Sequence, residues 1–168
     1  MTSIPGVATP ASSLHALLRA RGATIATAES LTGGRLAALL TAVPGSSETY
    51  VGGVVSYATS LKTDLLGVPP ELIAKYGVVS AECARAMATG ARRATGATYA
   101  VSTTGVAGPG PQDGVPAGTV YVAVSGPESV TALALELVGD RGTIQERTCD
   151  EALSAVSAIL GGEETGLG

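Results

Sequence analysis

The order of apolar patterns along this chain predicts an α/β fold: three layers, α/β/α, around a mixed, mostly parallel sheet of about five strands. In the first two thirds, short apolar segments of strand length alternate with segments whose apolar residues recur at helical spacing. Near the C-terminal end, segments 119–125 and 130–138 flank the turn Gly126–Pro127 and predict one hairpin. An antiparallel hairpin added to alternating helices and strands makes the sheet mixed.

The elements before the hairpin are predicted from their start and stop signals. Ser12 or Ser13 caps a first helix that ends at Gly22, and Ser80 caps a later helix. The predicted strands are 23–28, 50–57 and 99–103. Two further helices are predicted before the hairpin, one from about 35 to 43 and one through 62–66. A last helix, after the hairpin, starts at a capping box of Thr143 and Glu146.

Length and composition predict one aliphatic domain. The chain has 168 residues, of which 45% are hydrophobic, and contains neither Trp nor Phe. Such a length supports a single buried core, which we place in residues 12–160, with residues 1–11 and 161–168 as flexible tails. Close packing of helices on the sheet then depends on Ala, Val, Leu and Ile.

Charge and cysteine content exclude several classes of function. The net charge of -4 and the absence of a basic run argue against a nucleic-acid partner. No apolar stretch is long enough for a membrane span, and no signal peptide is recognisable, so we expect a cytoplasmic protein. Cys83 and Cys149 match no metal-ligand spacing, and the acidic residues do not cluster, so no metal site is expected.

A candidate nucleophile, Ser30, lies where the first strand turns into a helix. Backbone N–H groups at the start of that helix have no intrahelical partner and lie at the positive end of its dipole, so they can receive an oxyanion. Gly33 and Gly34 allow a substrate to approach the backbone. The alternative is structural: Ser30 or Thr32 simply caps the helix, a position that Ser and Thr favour.

A serine nucleophile needs a base, and the candidate is Lys62. The only histidine, His15, lies on the predicted first helix before the first strand and is a poor candidate. A lysine acts as a base when burial or a neighbouring cation lowers its pKa, and Ser–Lys pairs of this kind occur on unrelated folds. The alternative is an exposed surface lysine.

Three further loops carry candidate binding groups. Thr104 and Gly105 open a Gly/Pro-rich loop that can form an anion nest or be a plain turn. Arg141, before the last helix, suits a phosphate or pairs with its neighbour Asp140. Ser47, after Pro44 and Gly45, is a turn residue or a substrate contact.

These segments together resemble the CinA C-terminal domain family. The resemblance runs through nine motifs in order, over roughly residues 14–160: AESLTGG (28–34), PGSS (44–47), GGVVSY (52–57), Lys62, LLGV (65–68), YGVVS (76–80), TGVAGP (104–109), GTVY (118–121) and GDR (139–141). So many short motifs in one order make the resemblance specific.

The resemblance implies an amidohydrolase that converts nicotinamide mononucleotide to nicotinate mononucleotide and ammonia, in pyridine nucleotide recycling and without a cofactor. The family's nucleophilic serine falls on Ser30 and its lysine base on Lys62. Its pocket positions fall on Thr32, Gly33, Gly34, Ser47, Tyr57, Thr104 and Gly105, with Arg141 as a phosphate contact. The resemblance also implies a homodimer or a higher homo-oligomer.

Three positions depart from the family pattern. Leu31 replaces a common cysteine, residues 58–61 lack an amide and a carboxylate that many members carry, and Val115 replaces a common lysine. The last two changes affect substrate identity and rate more than the type of reaction. A ligand-binding domain of the same fold with weak or no hydrolase activity is therefore the alternative.

Overall fold

The computed structural model describes residues 6–165, and its elements alternate much as the sequence predicts. In chain order they are α1 (Pro10–Ala20), β1 (Ile25–Glu29), α2 (Arg35–Thr41), a 3-10 turn (Ser46–Glu48), β2 (Tyr50–Val55), α3 (Thr59–Asp64), α4 (Pro70–Tyr76), α5 (Ala81–Thr95), β3 (Tyr99–Gly105), β4 (Thr119–Ser125), β5 (Val130–Glu136) and α6 (Arg141–Thr165).

The strands form one mixed sheet in the order β2-β1-β3-β4-β5, which confirms the predicted α/β class. Strand β1 pairs in parallel with β2 and β3, whereas β4 pairs antiparallel with β3 and β5. Parallel and antiparallel pairings are thus equally represented among the described strands. Because β1, β2 and β3 are parallel, their C-terminal ends lie at the same edge of the sheet, and the segments that follow them meet there.

Helices cover both faces of the sheet, as the three-layer prediction requires. Along β3, Tyr99 and Val101 pack with α1, α2 and α6, whereas Ala100 points to the other face and packs with α5. The α5 side is built largely from alanines and permits close approach. A Cβ on Gly90 of α5 would lie 1.9 Å from the carbonyl oxygen of Leu66, so only glycine fits there.

Helices α1 and α6 begin at residues other than those predicted, because a different side chain caps each of them. Helix α1 begins at Pro10 because the Thr9 hydroxyl accepts the N–H of Ser12, in a capping box. Helix α6 begins at Arg141, and the Asp140 carboxylate accepts the N–H of Thr143 over 2.8 Å. The cap is therefore Asp140, not the predicted box of Thr143 and Glu146.

One helix was not predicted, and the predicted tails are only partly described. Helix α4 (Pro70–Tyr76) has seven residues, and its apolar residues Leu72 and Ile73 are too few to show a helical repeat in the sequence. The predicted tails 1–11 and 161–168 fall partly outside the described residues; within these, α1 starts at Pro10 and α6 continues to Thr165. No described helix has the length and hydropathy needed to cross a bilayer.

Candidate active site

A cleft of about 360 Å³ opens at the sheet edge where the parallel strands end. That volume lies in the range that binds small molecules. Among the residues that line it are six of the predicted site residues: Ser30, Tyr57, Lys62, Thr104, Gly105 and Arg141. They come from four separate chain segments, which the parallel register of β1, β2 and β3 brings together.

The Ser30 hydroxyl and the Lys62 amine are in direct contact at the base of the cleft. Lys62 Nζ lies 3.0 Å from Ser30 Oγ and 2.5 Å from the carbonyl oxygen of Ser56. Ser56 is itself fixed at the end of β2, because its N–H donates to the Glu29 carbonyl over 2.8 Å. The amine is therefore aimed at the hydroxyl by a rigid backbone contact.

Burial favours the uncharged form of Lys62. The side chain is 2% exposed, and desolvation lowers the pKa of its amine below the ordinary 10.5. Within residues 6–165, no carboxylate lies within ion-pair distance to oppose that effect. The nearby Cys83 thiol would favour the ammonium form only as a thiolate, and burial raises its own pKa to about 11. Near neutral pH the thiol is therefore uncharged, and a neutral amine can accept the Ser30 proton.

The buried carboxylate of Glu29 caps helix α2, a role that the sequence analysis missed. Glu29 Oε1 accepts the N–H groups of Gly34 and Leu36 over 3.2 and 2.8 Å, and Oε2 accepts that of Ala37 over 3.1 Å. The Thr32 hydroxyl donates to the same carboxylate over 2.7 Å. The sequence does contain a signal for this cap, namely an acidic residue just before the start of a helix. The positive end of the helix dipole lies there and favours an anion.

This cap corrects the predicted roles of Thr32, Gly33 and Gly34. The N–H groups expected to bind an oxyanion are occupied: Gly34 donates to Glu29, and Gly33 donates to the Ser30 carbonyl over 3.1 Å. The Thr32 side chain is fully buried against Glu29 and Thr103. These three residues shape the turn that carries Ser30 and do not line the cleft.

Thr104 and Gly105 lie at the end of β3, on the wall of the cleft. The Thr104 hydroxyl donates to the Val78 carbonyl over 2.7 Å, so towards a substrate it can act only as an acceptor. A Cβ on Gly105 would lie 2.7 Å from the Thr119 carbonyl oxygen. Glycine is therefore required for the packing of β3 against the residue that begins β4.

Arg141 and Tyr57 form the mouth of the cleft. The guanidinium donates to the Gly108 carbonyl over 2.7 Å and to the Tyr57 hydroxyl over 3.0 Å, and so links two walls. The alternative partner of Arg141, Asp140, is engaged as the cap of α6. Arg141 is exposed, and a five-donor guanidinium keeps further N–H groups for an incoming anion.

Two residues lie far from the cleft. Ser47 belongs to the 3-10 turn before β2, at the opposite edge of the sheet from Ser30, so this chain does not bring it to the site. His15 is fully buried, with Nδ1 2.5 Å from Thr49 Oγ1 and Nε2 2.8 Å from the Leu40 carbonyl. It holds α1 against the end of α2 and is unavailable as a base.

No group of three or more potential metal ligands occurs among the described residues. The groups in contact at the base of the cleft are the Ser30 hydroxyl and the buried Lys62 amine. Such a set can perform acyl transfer through a serine nucleophile.

The comparisons with known proteins all match the same family. A family model described as the CinA C-terminal domain matches residues 7–160. A CinA-like protein of Frankia casuarinae is 48% identical over 146 residues, and one of Acidobacterium capsulatum is 46% identical over 144 residues. These alignments cover 87% and 85% of this chain, but only 34% and 35% of the relatives. The chain thus spans about a third of the length of those relatives.

Solved structures of similar length share the fold. A CinA superfamily protein from Klebsiella pneumoniae superposes with a TM-score of 0.88 at 34% identity, covering 90% of this chain and 96% of that one. The competence/damage inducible protein CihA from Agrobacterium tumefaciens gives a TM-score of 0.83 at 33% identity, covering 95% and 99%.

Proposed function

Because this chain belongs to the CinA C-terminal domain family, we propose that its cleft is the active site of a Ser–Lys amidohydrolase. The substrate we propose is nicotinamide mononucleotide, which is converted to nicotinate mononucleotide and ammonia. The observation that carries the proposal is the 3.0 Å contact between Lys62 Nζ and Ser30 Oγ inside a cleft of ligand size. A surface lysine and a capping serine would have no reason to meet in a buried contact.

In the first half of the reaction, neutral Lys62 removes the Ser30 proton as Ser30 Oγ attacks the carboxamide carbon. The C=O bond opens to a tetrahedral oxyanion. When the C–N bond breaks, the ammonium form of Lys62 returns that proton to the leaving nitrogen, and ammonia departs. An ester between the acyl group and Ser30 remains, and Lys62 is neutral again.

In the second half, Lys62 takes a proton from water, which attacks the ester carbon. Breaking the ester returns the proton from Lys62 to Ser30 Oγ and releases the carboxylic acid, which ionises in solution. The Ser56 carbonyl holds the amine throughout, since it accepts one Nζ hydrogen in either protonation state. No cofactor takes part in this scheme.

The walls of the cleft are suited to a nucleotide amide. Arg141 supplies a cation at the mouth, where the phosphate of a mononucleotide can bind while the carboxamide reaches Ser30. Tyr57 is 62% exposed and offers a ring face to an aromatic base. We further propose a cytoplasmic protein that acts as a homodimer and binds no nucleic acid.

The test is ammonia release from nicotinamide mononucleotide by the purified chain, with Ser30→Ala as the matched control. We expect wild-type turnover and loss of at least about 10⁴-fold in Ser30→Ala, the scale on which a nucleophile contributes. Equal rates for the two proteins would contradict the proposal.

The alternative is a binding domain with little hydrolase activity, and one observation favours it. Helix α3, which carries Lys62, starts after Ala58 without a side-chain cap, so no side chain at that position replaces the hydrogen-bonding groups that many family members carry in this segment. Calorimetry separates the two: binding of nicotinamide mononucleotide without ammonia release, in wild type and Ser30→Ala alike, would favour the binding domain.

A further inference from the structure

We propose that the backbone N–H of Leu31 is the donor that stabilises the oxyanion, and that Gln145 of α6 is the residue that positions it. This inference rests on the proposed acyl transfer at Ser30 and adds the group that stabilises its transition state. It replaces the helix N–H groups of Gly33 and Gly34, which already donate within the protein.

The N–H groups around the nucleophile divide into occupied and free ones. Ser30 N–H donates to the Thr103 carbonyl over 3.0 Å, and Gly33 and Gly34 donate as described. Those of Leu31 and Thr32 find no acceptor in the part of the chain that the structure describes, but Thr32 is fully buried and does not line the cleft. Leu31 lines the cleft, directly after the serine. A free N–H donor directly after a nucleophile is placed to stabilise an oxyanion.

Hydrogen bonds to two carbonyl oxygens fix this donor. In a trans peptide the N–H points away from the C=O of the same unit, so holding one orients the other. The Ser30 carbonyl accepts from Gly33 N–H, which sets the direction of Leu31 N–H. The Leu31 carbonyl accepts from Gln145 Nε2 over 2.9 Å, which fixes the position of the residue that carries the donor.

Gln145 reaches this turn from a distant part of the chain. It lies 114 positions after Leu31, is 6% exposed, and inserts its side-chain amide beneath the turn from the first part of α6. A buried amide of this kind must be hydrogen-bonded, and here its partner is the backbone next to the nucleophile. Donors held in place before the reaction act only on the developing negative charge, so they lower the barrier more than they tighten substrate binding.

The experiment compares Gln145→Met, which keeps the length but removes the donor, with Thr148→Val. Thr148 lies one turn later on α6, is buried, and donates to the Ile144 carbonyl, so this control also loses a buried hydrogen bond. For amide hydrolysis we expect kcat of Gln145→Met to fall about 10²-fold with KM changed less than about threefold. Thr148→Val should keep the wild-type kcat.

A second measurement uses p-nitrophenyl acetate, with the burst of p-nitrophenol reporting acetylation of Ser30 and denaturant unfolding checking the fold. Folded Gln145→Met that acylates at the wild-type rate would overturn the proposed role. If Gln145→Met does not fold, Gln145→Leu serves instead, because it also lacks the donor and its side chain is shorter. Wild type that neither acylates nor releases ammonia would refute the Ser–Lys reaction itself, and the oxyanion hole with it.

Discussion

The carboxylate of Glu29 makes the sharpest stability prediction. It accepts four hydrogen bonds within one turn of chain, from the Thr32 hydroxyl and from the N–H groups of Gly34, Leu36 and Ala37. Glu29→Ala removes all four acceptor contacts at once. Glu29→Gln keeps the shape and one acceptor oxygen but loses the charge and presents an NH₂ group to one of the donors.

The expected cost follows from the burial of these donors. Leu36 is fully buried, so its orphaned N–H costs about 1–3 kcal/mol, whereas those of Gly34 and Ala37 are partly accessible and cost about 0.5–1 kcal/mol each. We therefore expect Glu29→Ala to lose about 3 kcal/mol of unfolding free energy. For Glu29→Gln we expect about 1–2 kcal/mol, which is the range of a lost helix cap.

Urea unfolding measures both values. With a slope of about 2 kcal/mol per molar, Glu29→Ala should unfold at a midpoint lower by about 1.5 M. The control is Glu128→Ala, in the exposed turn between β4 and β5, which should change stability by less than about 0.5 kcal/mol. A Glu29→Ala midpoint within about 0.3 M of the wild type would refute this account of how the Ser30 turn is held.

Three further predictions concern the titratable and charged groups. Because burial lowers the pKa of Lys62, kcat/KM should rise with pH as the amine loses its proton, with a midpoint below 10.5; a rise centred at 10.5 would contradict a buried base. Arg141→Ala should raise KM for the nucleotide with little change for nicotinamide itself, measured by ammonia release; equal KM changes would make Arg141 structural. Burial raises the pKa of the Cys83 and Cys149 thiols to about 11 and about 12, so maleimide should label neither until the protein unfolds, as mass spectrometry will report.

Sequence signals that act over a few residues were sufficient to predict most of the fold. Helix α5 starts at its predicted cap, since Ser80 Oγ accepts the N–H of Cys83. The hairpin of β4 and β5 forms across the predicted turn. These elements depend on caps, turns and periodicity that act within a few residues, so a single sequence contains them.

The sequence predicted only those site residues that belong to recognisable motifs. The resemblance placed Ser30 and Lys62 in one reaction, and their side chains do meet. It also suggested Ser47, whose turn precedes β2 and therefore lies at the opposite sheet edge. Gln145 carries no motif, because its partner is a backbone carbonyl 114 positions away. Contacts of that range depend on the packing of α6 against the sheet, which periodicity does not encode.

The position of Glu29 limits its part in the chemistry of the lysine. A free carboxylate beside the Lys62 amine would favour the ammonium form. Here the carboxylate is bound by the N-terminus of α2, whose partial positive charge it offsets. Burial is then the largest influence on the pKa of Lys62, and it lowers that pKa. The same cap occupies the helix N–H groups, so the donor left for an oxyanion is the Leu31 N–H in the turn before α2.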